Sequence, residues 1–255
     1  MVDGQSHRYA RRWMGGDEKL TGILASVSSL EETRILLNYP IDIIDLKNPS
    51  EGALGAIAPD ALQRIIHEIG HRVTTSATIG DLALLPDQVI PAIEKTARSG
   101  VDYIKMGFFP EGEPERLFKS LFDGGYTTRL KLILVCFADH PLPFEWIDRL
   151  AGWGFAGIML DTANKRAGSL TERIDLATIS SFIGAVRRHP LLCGLAGSLR
   201  MSDIDALVAL KPDYLGFRGA LCSGDRTGQI SEMATQSIIE RLNSAHRLPT
   251  GHTHV

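Results

Sequence analysis

Three lysines and a set of aspartates fall at the ends of short apolar runs, and that placement is the first chemical signal in the chain. Asp45 and Lys47 close the run Ile41–Lys47, ahead of the Pro49-Ser50-Glu51-Gly52 cluster that ends it. Two residues apart, they point the same way on a strand. A strand this apolar belongs in a parallel sheet covered on both faces, which gives no packing reason for two charges. Lys105 lies in the run Val101–Phe108, Asp161 near the end of Phe155–Thr162, and Lys165 four residues later. Asp81, Asp139 and Arg218 sit at further run ends. Any one of these reads equally as half of a structural salt bridge. Gathered at one place they would be costly to bury, unless that place is wet and functional.

Lysines brought together repel as ammonium ions, and a dry pocket lowers the proton affinity further. One of them is then neutral enough to act as a nucleophile and to form a Schiff base with a carbonyl substrate. The remaining lysines and the aspartates can move protons or hold phosphate, which is an aldolase-like arrangement. Of the eight histidines, only His140 lies near a run end, which argues against a histidine metal site. Ala196-Gly197-Ser198 and Arg218-Gly219-Ala220, followed by Gly224-Asp225-Arg226, resemble loops that bind anions through backbone N–H groups. Gly197, Ser198, Arg218 and Gly219 are therefore the candidate phosphate ligands, although barrels also need glycines simply to turn. Asp81 is added to the pocket by position alone. Cys136 and Cys193 read as core residues, and nothing beside Cys222 marks it as reactive.

Positioning such a set requires strands that all open on one face. The spacing predicts eight strands: Gly22–Val27, Ile41–Lys47, Val73–Gly80, Val101–Phe108, Lys131–Ala138, Phe155–Thr162, Leu191–Gly197 and Tyr214–Leu221. A helical pattern follows each one, opened by Ser28 and Ser29 with Glu31 and Glu32 in the first unit and by Pro59 and Pro86 in the next two. Alternation at this spacing means parallel strands with crossover helices. An open doubly wound sheet would announce a glycine-rich turn after its first strand, where this chain has Ser26-Val27-Ser28-Ser29. The expected fold is an α/β, eight-stranded parallel β/α (TIM-type) barrel in a single domain. It has an arm over 1–21, the barrel over 22–246 and a flexible tail over 247–255.

Bulk properties narrow the class. At 255 residues, 44% hydrophobic and 22% charged, the chain suits one barrel with a sizeable core. A formal net charge of −3 without a block of like charge gives no nucleic-acid footprint. No apolar run is long enough to cross a bilayer. The opening segment mixes Arg11 and Arg12 with Asp17, Glu18 and Lys19, which reads as an arm or subunit contact rather than a signal peptide. Three cysteines are too few for a disulfide framework, so a reducing cytoplasm is the expectation, and the N-terminal arm makes a homo-oligomer the expected assembly.

The motifs DIIDLKNPSEGALGA (42–56), TTSATIGD (74–81), GVDYIKMG (100–107), IMLDTANK (158–165), CGLAGS (193–198) and GFRGALCSGDR (216–226) resemble the (5-formylfuran-3-yl)methyl phosphate synthase family. The resemblance spans roughly residues 22–230. It implies a lyase of methanofuran biosynthesis that joins two molecules of glyceraldehyde 3-phosphate, one isomerised to dihydroxyacetone phosphate, by aldol-type condensation. Loss of phosphate and water and cyclisation then give the furan aldehyde phosphate. By the same resemblance Lys47 is the Schiff-base lysine and Lys105 the general acid/base. Asp161 and Lys165 belong to the same site, with Asp45 beside the nucleophile. It implies no nicotinamide, flavin or obligatory metal, and triose phosphates as the partners. The chain departs from the family's pattern in a longer N-terminal arm and over 109–129. Two other readings stay open from the residues themselves: a class I aldolase acting on another phosphorylated sugar, and a non-catalytic barrel that binds a phosphometabolite.

Overall fold

A computed structural model of the chain describes residues 20–109, 111–142 and 144–247. The expected arm falls almost wholly outside the described residues, as does the tail beyond residue 247.

Eight parallel strands close into a barrel in sequence order: β1 Gly22–Val27, β2 Ile43–Leu46, β3 Thr74–Thr78, β4 Tyr103–Gly107, β5 Lys131–Phe137, β6 Gly157–Asp161, β7 Leu192–Leu195 and β8 Tyr214–Phe217. β1 pairs with both β2 and β8, which completes the ring. Each crossover carries helix: α1 Leu30–Leu36, α2 Pro59–Ile69, α3 Pro86–Ala97, α4 Pro114–Asp123 with the short α5 Tyr126–Arg129, α6 Phe144–Gly152, α7 Leu170–Arg173, α8 Leu176–Arg187, α9 Ile204–Ala209 and α10 Glu232–Ala245. All eight expected strands are present; β1 has the expected bounds, and the other seven are shorter by one to four residues because ladder pairing stops before the apolar run does. The connection from β6 to α8 contains α7, opened by a capping box between Ser169 and Glu172.

Side chains on the strands alternate between two apolar layers, as the pleat requires. Ile44 and Leu46 face outward into the layer shared with the helices, where Leu62, Ile65, Ile93, Phe118 and Phe182 pack. Ile43 faces inward with Leu24, Ile133, Val135, Met159 and Tyr214, filling the barrel's lower half. The same period that turns Ile43 inward turns Asp45 and Lys47 inward above it.

Local capping fixes where the helices start. Ser29 accepts from the Glu32 amide to open α1, Asp175 from Thr178 to open α8, and Ser231 from Ala234 to open α10. α2, α3 and α4 each begin on proline, whose missing N–H costs nothing in the first turn.

Candidate active site

Strand register builds the site's floor. Ser26 on β1, Asp45 on β2 and Ser76 on β3 are direct neighbours in the ladder, so three inward side chains stand at one level. Both serine hydroxyls donate to the Asp45 carboxylate, Ser26 at 2.9 Å to one oxygen and Ser76 at 2.6 Å to the other. Lys105, rising from β4, brings its Nζ to 2.6 Å from the second oxygen. All four side chains are buried. Burial alone would push the Asp45 carboxyl up; the ammonium groups of Lys105 and Lys47, with the hydrogen bonds from Lys105 and Ser76, outweigh it and hold Asp45 below the usual carboxylate range.

A second ion pair stands on β6. Asp161 accepts from Lys165 Nζ and, at 2.7 Å, from the Thr162 amide. Burial raises the Asp161 carboxyl, but Lys165 and Lys47 reverse this and leave it lowered. Lys165 itself is lowered by burial, against the pull of Asp161.

Lys47 lies between these pairs and belongs to neither. It is buried, and no carboxylate among the described residues lies within ion-pair distance of its Nζ. Burial lowers its pKa most; Asp161 and Asp45 raise it, Lys165 and Lys105 lower it again, and the result is about 8. Two lysines held in ion pairs and a third with its proton affinity depressed is the division of labour that nucleophilic catalysis by an amine requires.

Above this floor is a cavity of about 750 Å³. It is lined by Ser26, Asp45, Lys47, Lys105, Asp161 and Lys165 below, and by loops that follow β6, β7 and β8 above. Nothing from β3 or β5 lines it. On that side Phe109 folds over Phe137, ring centroids 4.9 Å apart, and fills the sector. Gly107 has no Cβ because one would meet the Phe109 ring at 2.3 Å.

Gly197, Ser198 and Gly219 line the cavity as expected from the sequence. Gly197 (φ 107°) and Ser198 (φ 47°) both take the left-handed conformation, and their amides donate to no described residue. A Cβ on Gly197 would meet Thr162 at 2.9 Å, so glycine is required there twice over.

Two expected ligands are placed differently. Arg218 reaches the cavity wall, but all five of its N–H donors are used by the protein. Its fork grips both oxygens of the buried Glu32, at 2.7 and 2.9 Å, and the remaining bonds go to the carbonyls of Ser26, Arg226 and Gly228. Nothing is left for a phosphate. Asp81 is outside the lining: its two oxygens accept from the amides of Ala53 and Leu54, both at 2.8 Å, and hold down the loop after β2. Asp139 likewise holds the Ala163 amide and pairs with Arg173, and His140 is exposed. Sequence reasoning passed over Ser26 and Ser76 as partners of Asp45, because their contact depends on register. Arg226, which the sequence places in an anion-binding loop acting through backbone N–H groups, lines the cavity with its side chain. The three cysteines are buried, and burial pushes the thiols of Cys136 and Cys222 up.

A closed parallel barrel with charged pairs at the carboxyl ends of its strands, under one open cavity, is the architecture of a β/α-barrel enzyme. Solved structures share this barrel fold. They include phosphoribosyl anthranilate isomerase from Thermus thermophilus, at TM-score 0.64 and 16% identity over 88% of this chain and 99% of that one. Another is 3-hexulose-6-phosphate synthase from Salmonella typhimurium, at TM-score 0.61 and 13% identity over 87% and 100%. Such identities speak for the fold alone.

Sequence comparison goes further. The family model of 4-HFC-P synthase matches residues 23–239. The (5-formylfuran-3-yl)methyl phosphate synthase of Methanothermobacter thermautotrophicus is 33% identical over 87% of this chain and 99% of its own length. That of Methanosarcina barkeri is 32% identical over 86% and 97%. The chain belongs to the 4-HFC-P synthase family.

Proposed function

We propose that this protein condenses two triose phosphates into (5-formylfuran-3-yl)methyl phosphate, for a methanofuran-type cofactor, through a Schiff base on Lys47. The observation that carries the reading is the contrast among the three lysines. Lys105 and Lys165 each hold a carboxylate, whereas Lys47 does not and has a pKa of about 8. At pH 7 about one-tenth of Lys47 is then a free amine, against far less than one-hundredth of an ordinary lysine.

One glyceraldehyde 3-phosphate isomerises to dihydroxyacetone phosphate. The Lys47 amine adds to the aldehyde carbon of the other glyceraldehyde 3-phosphate, and the carbonyl oxygen leaves as water with a proton from Lys105, which Asp45 orients. Removal of the proton from the carbon beside the iminium expels the phosphate from the next carbon and leaves an enol, whose terminal carbon attacks the ketone carbon of dihydroxyacetone phosphate. The Asp161–Lys165 pair handles the protons of that half. The free hydroxymethyl group then closes the ring on the new ketone, two waters leave to make the furan, and hydrolysis of the imine, which takes up one water, releases the aldehyde from Lys47. The atoms balance: two triose phosphates equal the furan aldehyde phosphate plus one phosphate and two waters.

Borohydride added with glyceraldehyde 3-phosphate should leave a covalent adduct that peptide mapping places on Lys47. Turnover should raise near-ultraviolet absorbance as the furan aldehyde forms. An adduct without the absorbance change would indicate a class I aldolase of another product. An unchanged protein mass, or an active Lys47→Ala variant, would end the Schiff-base reading.

A further inference from the structure

Two triose phosphates carry two phosphoryl groups, and the free amides of Gly197 and Ser198 account for one anion position at most. Arg218, the expected side-chain ligand, has every donor occupied. A cation for the second group has to come from elsewhere on the cavity wall.

The loop after β8 supplies one. It folds back on itself through an isolated bridge between Cys222 and Ile230, with the Ser223 amide donating to the Gln229 carbonyl at 2.9 Å. Gly228 belongs in this hairpin because a Cβ there would meet the Ser223 carbonyl at 2.2 Å. At its tip, Asp225 accepts from the amide of Thr227 at 2.8 Å and from its hydroxyl, forming a tight turn with Arg226 in the middle. Arg218 clasps this turn from below through the Arg226 and Gly228 carbonyls.

The Arg226 side chain leaves the turn and crosses the mouth toward the loop after β2. There one of its nitrogens donates to the Gly52 carbonyl at 3.3 Å, its only hydrogen bond to a described residue. No carboxylate among the described residues pairs with it within 4.0 Å, although Asp161, Asp81 and Asp225 lie in electrostatic range. Half-buried, lining the cavity and largely unsatisfied, it differs from Arg200 in the loop after β7, whose fork is closed on Glu172.

We propose that Arg226 is a phosphate anchor of this site, its guanidinium held over the mouth by the Arg218 clasp to bind the phosphoryl group of one of the two triose phosphates. A planar fork with free donors suits a phosphate monoester better than an ammonium does. This assignment rests on the triose phosphate reading above, and its test is chosen to fail separately.

The probe is glycerol 3-phosphate, a three-carbon phosphate monoester without a carbonyl, titrated calorimetrically into the full chain and into Arg226→Gln and Arg226→Lys. Arg226→Gln should weaken binding about 10- to 100-fold at one site, the worth of a charge-assisted contact. Arg226→Lys should recover part of that loss. In turnover, Arg226→Gln should raise KM for glyceraldehyde 3-phosphate more than it lowers kcat. Binding by Arg226→Gln equal to that of the unaltered chain overturns the anchor, as does an unaltered chain that does not bind the probe. If the unaltered chain binds glycerol 3-phosphate through Arg226 but makes no furan, the anchor stands and the proposed reaction falls. If it makes furan while Arg226→Gln keeps the same KM, the reaction stands and the anchor falls.

Discussion

Lys105 and Asp45 meet 2.6 Å apart with both side chains withdrawn from water. Neither could be buried alone. Asp45→Asn would keep an oxygen for the serine hydroxyls yet leave the Lys105 ammonium without a counter-charge. A loss of about 3–5 kcal/mol in unfolding free energy is expected, as for other buried pairs broken on one side. Adding Lys105→Met should return part of that loss, because the stranded charge goes with it. Denaturant unfolding of the two singles and the double measures this; a double variant no more stable than Asp45→Asn would contradict it.

Lys47 stands in the opposite position, buried with no ion-pair partner among the described residues, and the cost should be visible in stability. Its pKa falls from the ordinary 10.5 to about 8 on folding. At about 1.4 kcal/mol for each tenfold change in proton affinity, holding it charged costs about 3 kcal/mol. That cost applies in full below about pH 8. Between there and about 10.5 the unfolded chain holds a proton that the folded chain has released, so stability rises with pH across the window. Lys47→Met should therefore be inactive and more stable than the unaltered chain at pH 7, with the advantage shrinking by pH 10. A variant less stable at both pH values would remove this account.

The same amine sets the pH dependence of adduct formation. With a fixed brief exposure to triose phosphate and cyanoborohydride, the rate of labelling at Lys47 should climb about tenfold per pH unit below about 8 and level off above it. A midpoint near 10 would mean that burial does not depress this lysine.

Arg218 joins β8, the opening of α1 and the hairpin that carries Arg226, through residues as far apart as Glu32 and Gly228. Arg218→Lys keeps a charge against Glu32 but cannot make five bonds in one plane. The expected result is a loss of about 1–3 kcal/mol in stability, faster limited proteolysis within residues 222–230, and a higher KM for glyceraldehyde 3-phosphate. A structural role confined to the Glu32 pair would lower stability and leave the cleavage pattern and KM unmoved.

How much of this was legible in the sequence follows from what each contact depends on. Strand–helix alternation and the inward direction of Asp45 and Lys47 are local, set by periods of 3.6 and 2, and the eight-stranded barrel follows from them. The Asp45 contacts with Ser26 and Ser76 depend on ladder register between strands about twenty to thirty residues apart, which no period encodes. Arg218 was read as a phosphate ligand because an arginine beside glycine at the end of the eighth strand has that form. Its partner Glu32 is 186 residues away, in a segment that looked like ordinary helix capping. The sequence marks Gly224-Asp225-Arg226 as an anion loop but gives the Arg226 side chain no role, because its place depends on how the loop folds back, and loops are where sequence says least about direction.

Asp81 shows the same limit and yields the last prediction. At the end of β3 it has the form of a site residue, yet its carboxylate is spent on the Ala53 and Leu54 amides, and Gly52 (φ 89°) lies so close that a Cβ there would meet an Asp81 oxygen at 2.1 Å. The Gly52 carbonyl is also where Arg226 rests. Asp81→Ala should thus loosen the loop after β2, costing about 1–3 kcal/mol for two backbone donors left without their acceptor. Faster amide exchange at Ala53 and Leu54 should accompany it, together with weaker glycerol 3-phosphate binding. Asp81→Asn keeps one acceptor oxygen and should lie between Asp81→Ala and the unaltered chain on all three measures. Were Asp81 instead a direct substrate ligand, both variants would lose binding while the exchange rates at Ala53 and Leu54 stayed where they were.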